Sequence, residues 1–255
     1  MSCTHVIAGT CAARTLAEYG AEVLHIARDQ SFEHEILVNE VNVGMRSSFV
    51  DLKNPAQKRV FAKLLPEADV FLEGFRGRAM ENLGFGVKEV ATRRPGVIYL
   101  SVRCYSWDGP WWNRPGFDME ALTVSGYTVA EAGGVGHRPS FPPTMVLNDF
   151  IAGYLGAAGI IAALRRRARE GGSYRVMNCF RANRTDKPPS YYEKSMRLRP
   201  NAVQVELSAP LRKSLSAETF LRVTVPHHAE TAESAFCAIP SRLQFHVLKI
   251  LPVDE

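Results

Sequence analysis

Between residues 6 and 102 the sequence alternates short apolar runs with stretches of helical period, and nearly every change of period is marked by a glycine, an asparagine or a proline. Val6 and Ile7 end one apolar run, Gly9 supplies a turn, and Thr10 stands where a helix cap belongs, ahead of Ala13, Leu16 and Ala17. Gly20 stops that helix, and Ala21 to Ala27 alternates apolar with polar residues as a strand does. The unit repeats: Ser48 to Leu52 reads as a strand, Asn54 and Pro55 as an N-cap with a first-turn proline, Ala56 to Leu65 as a helix, and Ala68 to Leu72 as the next strand. Val87 to Arg94 gives a further helix before Pro95, and Val97 to Val102 a buried, β-branched strand. A chain patterned this way buries its strands as βαβ units, so the expected fold class is α/β, a mainly parallel sheet with flanking helices.

Residues 105–147, rich in Trp, Gly and Pro, read as ordered loops with short strands, and loops of this kind after the strands of a parallel sheet are where ligands bind. A long helix follows from Phe150 to about Arg169, closed by Gly171 and Gly172. After Met177 the helical period is lost; Val203 to Leu207, Thr219 to Val225 and Leu243 to Leu251 are the expected strands there. The organisation expected is therefore residues 1–177 as one α/β unit and 178–255 as a divergent tail. At 46% hydrophobic and 22% charged the chain has the composition of a folded globular protein, which sets aside disordered and fibrous classes.

Three local features carry candidate chemistry. The turn Ala8-Gly9-Thr10 opens a helix whose free N–H groups suit a phosphate, although an ordinary strand–helix junction has the same look and the full G-x-G-x-x-G is lacking. At the end of the second strand, where an NAD site holds an acidic residue, Ala27 is followed by Arg28, which suits a phosphorylated ribose or simply a solvated surface. Asn148-Asp149 directly precedes the long helix, so either residue serves as a cap, and an Asp149 carboxylate there is expected to be ionised at neutral pH and available as a nucleophile. Gly153, Gly156, Ala157 and Gly159 behind it permit close helix packing. His227, His228 and Glu230 lack the spacing of a metal site, and no metal is expected.

Charge, cysteine usage and length narrow the classes further. The formal charge of +5 is diffuse, and the run Arg165 to Arg169 sits at a helix C-terminus, where cations are at home, so nucleic-acid binding is not expected. Five cysteines at irregular spacing, with no C-x-x-C, read as free thiols in a reducing compartment. The expected location is the cytoplasm or an organelle matrix, since the stretch ahead of Gly9 is too short for a secretory signal. The uncharged run from Phe150 to Leu164 falls short of the roughly 20 residues of a membrane span and reads as a buried helix.

Six ordered blocks then resemble the family III CoA-transferases, the CaiB/BaiF family: His5 to Gly9 with Leu16 to Val23, Arg46 to Lys53, Ala68 to Phe75, Leu83 to Phe85, Arg114 to Asp118, and Asn148 to Phe150 with its Gly/Ala helix. The resemblance covers residues 5–176 and implies a Rossmann-like large domain, interlocked homodimers, and transfer of CoA from an acyl-CoA to a carboxylic acid acceptor with no added cofactor. It implies Asp149 as the nucleophile of an aspartyl-CoA thioester pathway. It also implies coenzyme A contacts at Ile7, Ala8, Arg28, Val50, Lys53, Gly74, Phe75, Phe117 and Asp118.

Departures qualify those expectations. Relatives often carry asparagine where this chain has Gly74, and some carry arginine at Asn82. The family includes 2-methylacyl-CoA racemases, whose histidine would fall at Phe117, so transferase is the expected reaction and racemase the alternative. The chain opens inside what would be the first strand, with Thr4 to Ile7 left of it, and the resemblance stops near Met177. A truncated or divergent C-terminal region makes a non-catalytic CoA-binding or interaction subunit a further alternative.

Overall fold

The computed structural model describes residues 1–28, 39–107, 109–144 and 146–180, and the strands within 204–207, 219–224 and 247–253. The order is β1 (Ser2–Cys3), α1 (Ala8–Glu18), β2 (Leu24–Ala27), β3 (Arg46–Phe49), α2 (Pro55–Leu64), β4 (Val70–Glu73), α3 (Ala79–Asn82), α4 (Val87–Arg93), β5 (Ile98–Arg103), α5 (Asp118–Val124), α6 (Tyr127–Glu131), α7 (Leu147–Glu170) and β6 (Tyr174–Cys179). Three further strands follow, β7 (Gln204–Leu207), β8 (Thr219–Thr224) and β9 (Val247–Pro252). They join one sheet in the order β3-β2-β1-β4-β5-β6-β9-β8-β7. From β3 to β6 every pairing is parallel, and β9, β8 and β7 add on antiparallel. The sequence of crossovers reverses between β1 and β4, which opens a crevice at the carboxyl ends of those two strands.

Alternation along the strands loads both faces of the sheet. Leu72, Ile98, Leu100, Val102 and Val176 pack with α1 and α7, through Ala12, Ala13, Ala152, Ala157 and Ile160. Phe71 and Tyr99 point the other way, toward Phe61, Leu65, Phe85 and Val90 of the α2 and α4 layer. A sheet covered on both faces explains why its strands read as apolar runs. The α2 start is as the sequence indicates: the Asn54 side chain accepts from the N–H groups of Ala56 and Gln57, with Pro55 in the first turn.

The long helix α7 has 24 residues and is apolar and long enough to cross a membrane on those grounds alone, but half of its apolar window is buried in this molecule. Its closeness to α1 has a specific cause. A Cβ on Gly153 would lie 2.5 Å from the Cys11 Sγ and 3.1 Å from the Ala8 carbonyl, so only glycine lets the two helices approach. The Asn178 side-chain amide donates to the Ala152 carbonyl at 2.6 Å and fixes the same helix to β6. At its far end Arg166 pairs with Glu170 at 2.7 Å, and Arg167 reaches Asp69 and the Gly96 carbonyl. These arginines are occupied with the helix terminus and its neighbours.

Several expectations are corrected. The first strand is Ser2–Cys3, not Thr4 to Ile7, and the turn falls at Val6 (φ 57°), so that Gly9 and Thr10 already lie inside α1, where Ile7 and not Thr10 is the N-cap. Gly9 is required by contact instead: a Cβ there would sit 2.5 Å from Thr4 Cγ2. The described part of 105–147 holds two short helices, α5 and α6, and no strand. α7 begins at Leu147, which places Asn148 and Asp149 within its first turn and not at the cap. Strand β6 runs through Met177, where the sequence loses its helical period, and β9 lies antiparallel beside it, Tyr174 opposite Pro252.

Candidate active site

The crevice between β1 and β4 is a cavity of about 100 Å³ whose wall includes Ile7, Ala8, Gly9, Gly74, Phe75, Phe117 and Asp149. Four elements meet there: the open end of α1, the loop after β4, the loop entering α5, and the first turn of α7. Among the described residues the α1 N-terminus has no side-chain cap, and its first-turn amides suit an anionic or partly anionic group at the wall. Five of the nine expected CoA contacts, Ile7, Ala8, Gly74, Phe75 and Phe117, are brought together with Asp149.

Arg28, Val50 and Lys53 are placed elsewhere along the same edge of the sheet. Val50 donates its N–H to the Ala27 carbonyl at 2.9 Å, which sets the ends of β2 and β3 side by side with Arg28 and Lys53 exposed. They do not line the cavity around Asp149, yet they stand at the carboxyl ends of neighbouring parallel strands.

Asp118 takes a different position from the one expected. It is buried, does not line the cavity, and its Oδ2 accepts the N–H groups of Asn148 at 2.6 Å and Asp149 at 3.0 Å. This carboxylate, 30 residues upstream in sequence, thus caps the start of α7. Burial pushes the Asp118 carboxyl up, against the opposing effect of the two N–H groups it accepts.

That arrangement reverses the expected electrostatics of Asp149. The N–H groups that would have steadied its anion serve Asp118, Asp149 is 6% exposed, and a second carboxyl stands nearby. Desolvation first, and the Asp118 charge second, raise Asp149 from 3.8 to about 7. Asp149 is therefore a carboxyl balanced between acid and anion near neutrality, and not the firmly ionised group read from its place at a helix start. Such a group is a strong base and nucleophile for a carboxylate once its proton has left.

The cavity wall also holds residues that the sequence does not mark as site residues: His5, Arg76, Arg103, Tyr105, Trp112 and Arg114. His5 packs edge-on against Phe75, ring centroids 5.1 Å apart. For Arg103 a signal existed, because it is a cation at the carboxyl end of an otherwise buried strand, the end where ligands bind in this sheet class. Among the described residues no three His, Cys, Asp or Glu side chains group as metal ligands. His227, His228, Glu230 and Cys237 lie outside the described residues.

The profile of CoA-transferase family III matches residues 1–178. An acetyl-coenzyme A transferase of Hypoxylon pulicicidum is 31% identical over 177 residues, covering 68% of this chain and 30% of that protein. The alpha-methylacyl-CoA racemase of Homo sapiens is 34% identical over 164 residues, covering 64% of this chain and 42% of that one. The chain thus spans less than half the length of these curated relatives. The crystal structure of a CAIB/BAIF family protein from Brucella suis superposes with a TM-score of 0.62 at 22% identity, over 68% of this chain and 50% of that one, which shows a shared fold. With a matched region that takes in the whole parallel sheet and both sides of the crevice, this chain belongs to CoA-transferase family III.

Proposed function

We propose that the chain is the acyl-CoA-binding part of an acyl-CoA:carboxylate CoA-transferase, with Asp149 as the nucleophile. The observation that carries the reading is a single desolvated carboxyl, Asp149, in the wall of a cavity at the sheet's switch point, across from the uncapped start of α1. Residues 1–177 supply this Rossmann-like CoA-binding portion, and 178–255 form its divergent tail. The exposed Arg28 and Lys53, farther along the same sheet edge, suit the phosphate end of coenzyme A, and Ile7, Ala8, Gly74, Phe75 and Phe117 the thioester end.

In the reaction an Asp149 carboxylate oxygen attacks the thioester carbonyl, and the carbon–sulfur bond breaks to release CoA thiolate and leave a mixed anhydride. The thiolate then attacks the Asp149 carbonyl carbon and expels the donor acid as a carboxylate, giving an aspartyl-CoA thioester. An acceptor carboxylate attacks that thioester, releasing CoA thiolate and forming a second anhydride. The thiolate takes the acceptor acyl group, and Asp149 leaves as the carboxylate. No proton is gained or lost over the cycle. Each tetrahedral stage places negative charge on oxygen, and the first-turn N–H groups of α1, whose residues share the cavity wall with Asp149, suit its stabilisation.

The test is to incubate the chain with acetyl-CoA and hydroxylamine and to examine the peptide containing Asp149 by mass spectrometry. A hydroxamate on Asp149 supports the reading; an unmodified peptide under these conditions counts against it. The racemase alternative requires a proton-exchanging group where Phe117 stands, and a phenyl ring exchanges none. Incorporation of solvent deuterium at the α-carbon of a 2-methylacyl-CoA would reinstate it.

A further inference from the structure

Glu73, Arg103 and Arg175 share one face of the sheet, the face that also carries Phe71 and Tyr99, as the register of β4, β5 and β6 requires. Glu73 is buried, and its charge acts on both arginines, whose own ionisation burial opposes. Two guanidiniums thus face one carboxyl; burial pushes Glu73 up, so that its protonation would enlarge the positive excess. Glu81 also acts on both arginines, but it is exposed and pairs with Arg78 at 3.6 Å.

The hydrogen-bonding inventory has the same bias. Both guanidiniums lie against the Trp107 ring, Arg103 at 5.2 Å and Arg175 at 5.5 Å from its centroid. Arg103 Nε, Arg175 Nε and Trp107 Nε1 are buried, and none has an acceptor among the described residues. These are three donors and no acceptor in one cluster, with net positive charge. Buried charge of one sign is ordinarily balanced by a partner of the other. Arg103 is the member that reaches the cavity wall shared with Asp149, and its Nη2 is held by the Gly77 carbonyl, which fixes the guanidinium plane.

We propose that Arg103, backed by Trp107 and Arg175, seats the carboxylate of the acid that exchanges with the donor acyl group at Asp149. The inference rests on the transferase reading above and assigns its second substrate a place. The chemistry recognised is a compact oxyanion, which a free acid or a phosphate of coenzyme A could supply. The free acid is favoured by position: Arg103 lines the same small cavity as Asp149, whereas the pantetheine arm holds the phosphates of a CoA remote from its thioester.

The experiment uses the full chain and tryptophan fluorescence, since any anion at Arg103 lies beside Trp107. Succinate is the probe for a free acid, and adenosine 3′,5′-bisphosphate the probe for CoA phosphates without a thioester. Succinate should change the emission saturably, and Arg103→Gln should weaken its binding roughly tenfold to a hundredfold, with Arg103→Lys between the two. Hydroxylamine capture of the Asp149 adduct from acetyl-CoA, with no acid present, should fall less in Arg103→Gln than its succinate binding does. A wild-type chain blind to succinate would overturn the proposal even if the variants failed to fold. So would a response to the bisphosphate alone, or a loss of adduct capture in Arg103→Gln equal to its loss of succinate binding. Absence of the adduct from the wild type would instead remove the transferase reading, whatever succinate does.

Discussion

Replacing Asp149 by asparagine should abolish transfer and, at the same time, make the protein more stable at neutral and alkaline pH. In the unfolded chain the carboxyl ionises near 3.8, whereas in the fold it holds its proton to about 7. Between those values the native state binds a proton that the unfolded state has lost, so the contribution of Asp149 to stability falls as pH rises through that window and levels off above it. At about 1.4 kcal/mol per decade, the shift of Asp149 costs the fold on the order of 2 kcal/mol at pH 5 and 4 kcal/mol at pH 8. Asparagine has nearly the same shape, keeps the backbone N–H that Asp118 accepts, and does not titrate. Urea unfolding of both proteins, followed by circular dichroism at pH 5 and pH 8, should therefore show the variant ahead by a margin that widens by roughly 2–3 kcal/mol across the interval. A margin independent of pH would refute the electrostatic argument. A wild type more stable than the variant at pH 8 would show that the α7 terminus stabilises the Asp149 anion after all.

Hydroxylamine capture at Asp149 should rise with pH and level off above about 7, since only the anion attacks; a flat profile from pH 5 to 8 would contradict this. Asp118→Asn, which keeps an acceptor oxygen for the α7 amides but removes the neighbouring charge, should move that pH midpoint downward; Asp118→Ala should also lower stability by about 1–3 kcal/mol, measured by urea unfolding, by leaving the Asn148 and Asp149 N–H groups unpaired. Gly153→Ala should destabilise by about 1–3 kcal/mol in the same assay, because the added methyl meets the Cys11 side chain and the Ala8 carbonyl. Asn54→Ala should cost about 1 kcal/mol through loss of the α2 cap and leave adduct capture unchanged.

What the sequence discloses and what it withholds divide by the range of the interaction. The α2 start was legible because its cap and its recipients are two and three residues apart, Asn54 with Ala56 and Gln57. The α/β class was legible because period and punctuation are local too. The α7 start was misread: Asn148 and Asp149 carry cap chemistry, but the carboxylate that caps them is Asp118, and nothing local in the sequence announces a partner 30 residues away. Thr10 failed as a cap for a similar reason, since its hydroxyl lies 3.0 Å from that of Thr4 and the turn had already occurred at Val6. Strand β6 was overlooked at the boundary where the resemblance faded, although Tyr174 to Cys179 follows a double glycine and carries a strand's pattern of burial. The cavity's cations were invisible as a set, because Arg76, Arg103 and Arg114 come from separate loops and strand ends that only the folded sheet brings together.

The relation between Asp118 and Asp149 explains why a catalytic carboxyl would be set at a helix start without being given the helix's donors. A carboxylate that accepts two backbone N–H groups is stabilised as an anion and loses basicity in proportion. Asp118 accepts two such groups, which offset in part the upward push of its burial, and the helix terminus is satisfied by it. Asp149 keeps the location, facing the cavity from the first turn of α7, but desolvation and its neighbour leave its oxygens basic. A nucleophile must form a bond to carbon and later leave as the same carboxylate. An anion too well stabilised attacks slowly, and one held well above neutrality spends most of its time protonated. Ionisation near 7 sits between those limits, and its cost to the fold is the quantity that Asp149→Asn measures.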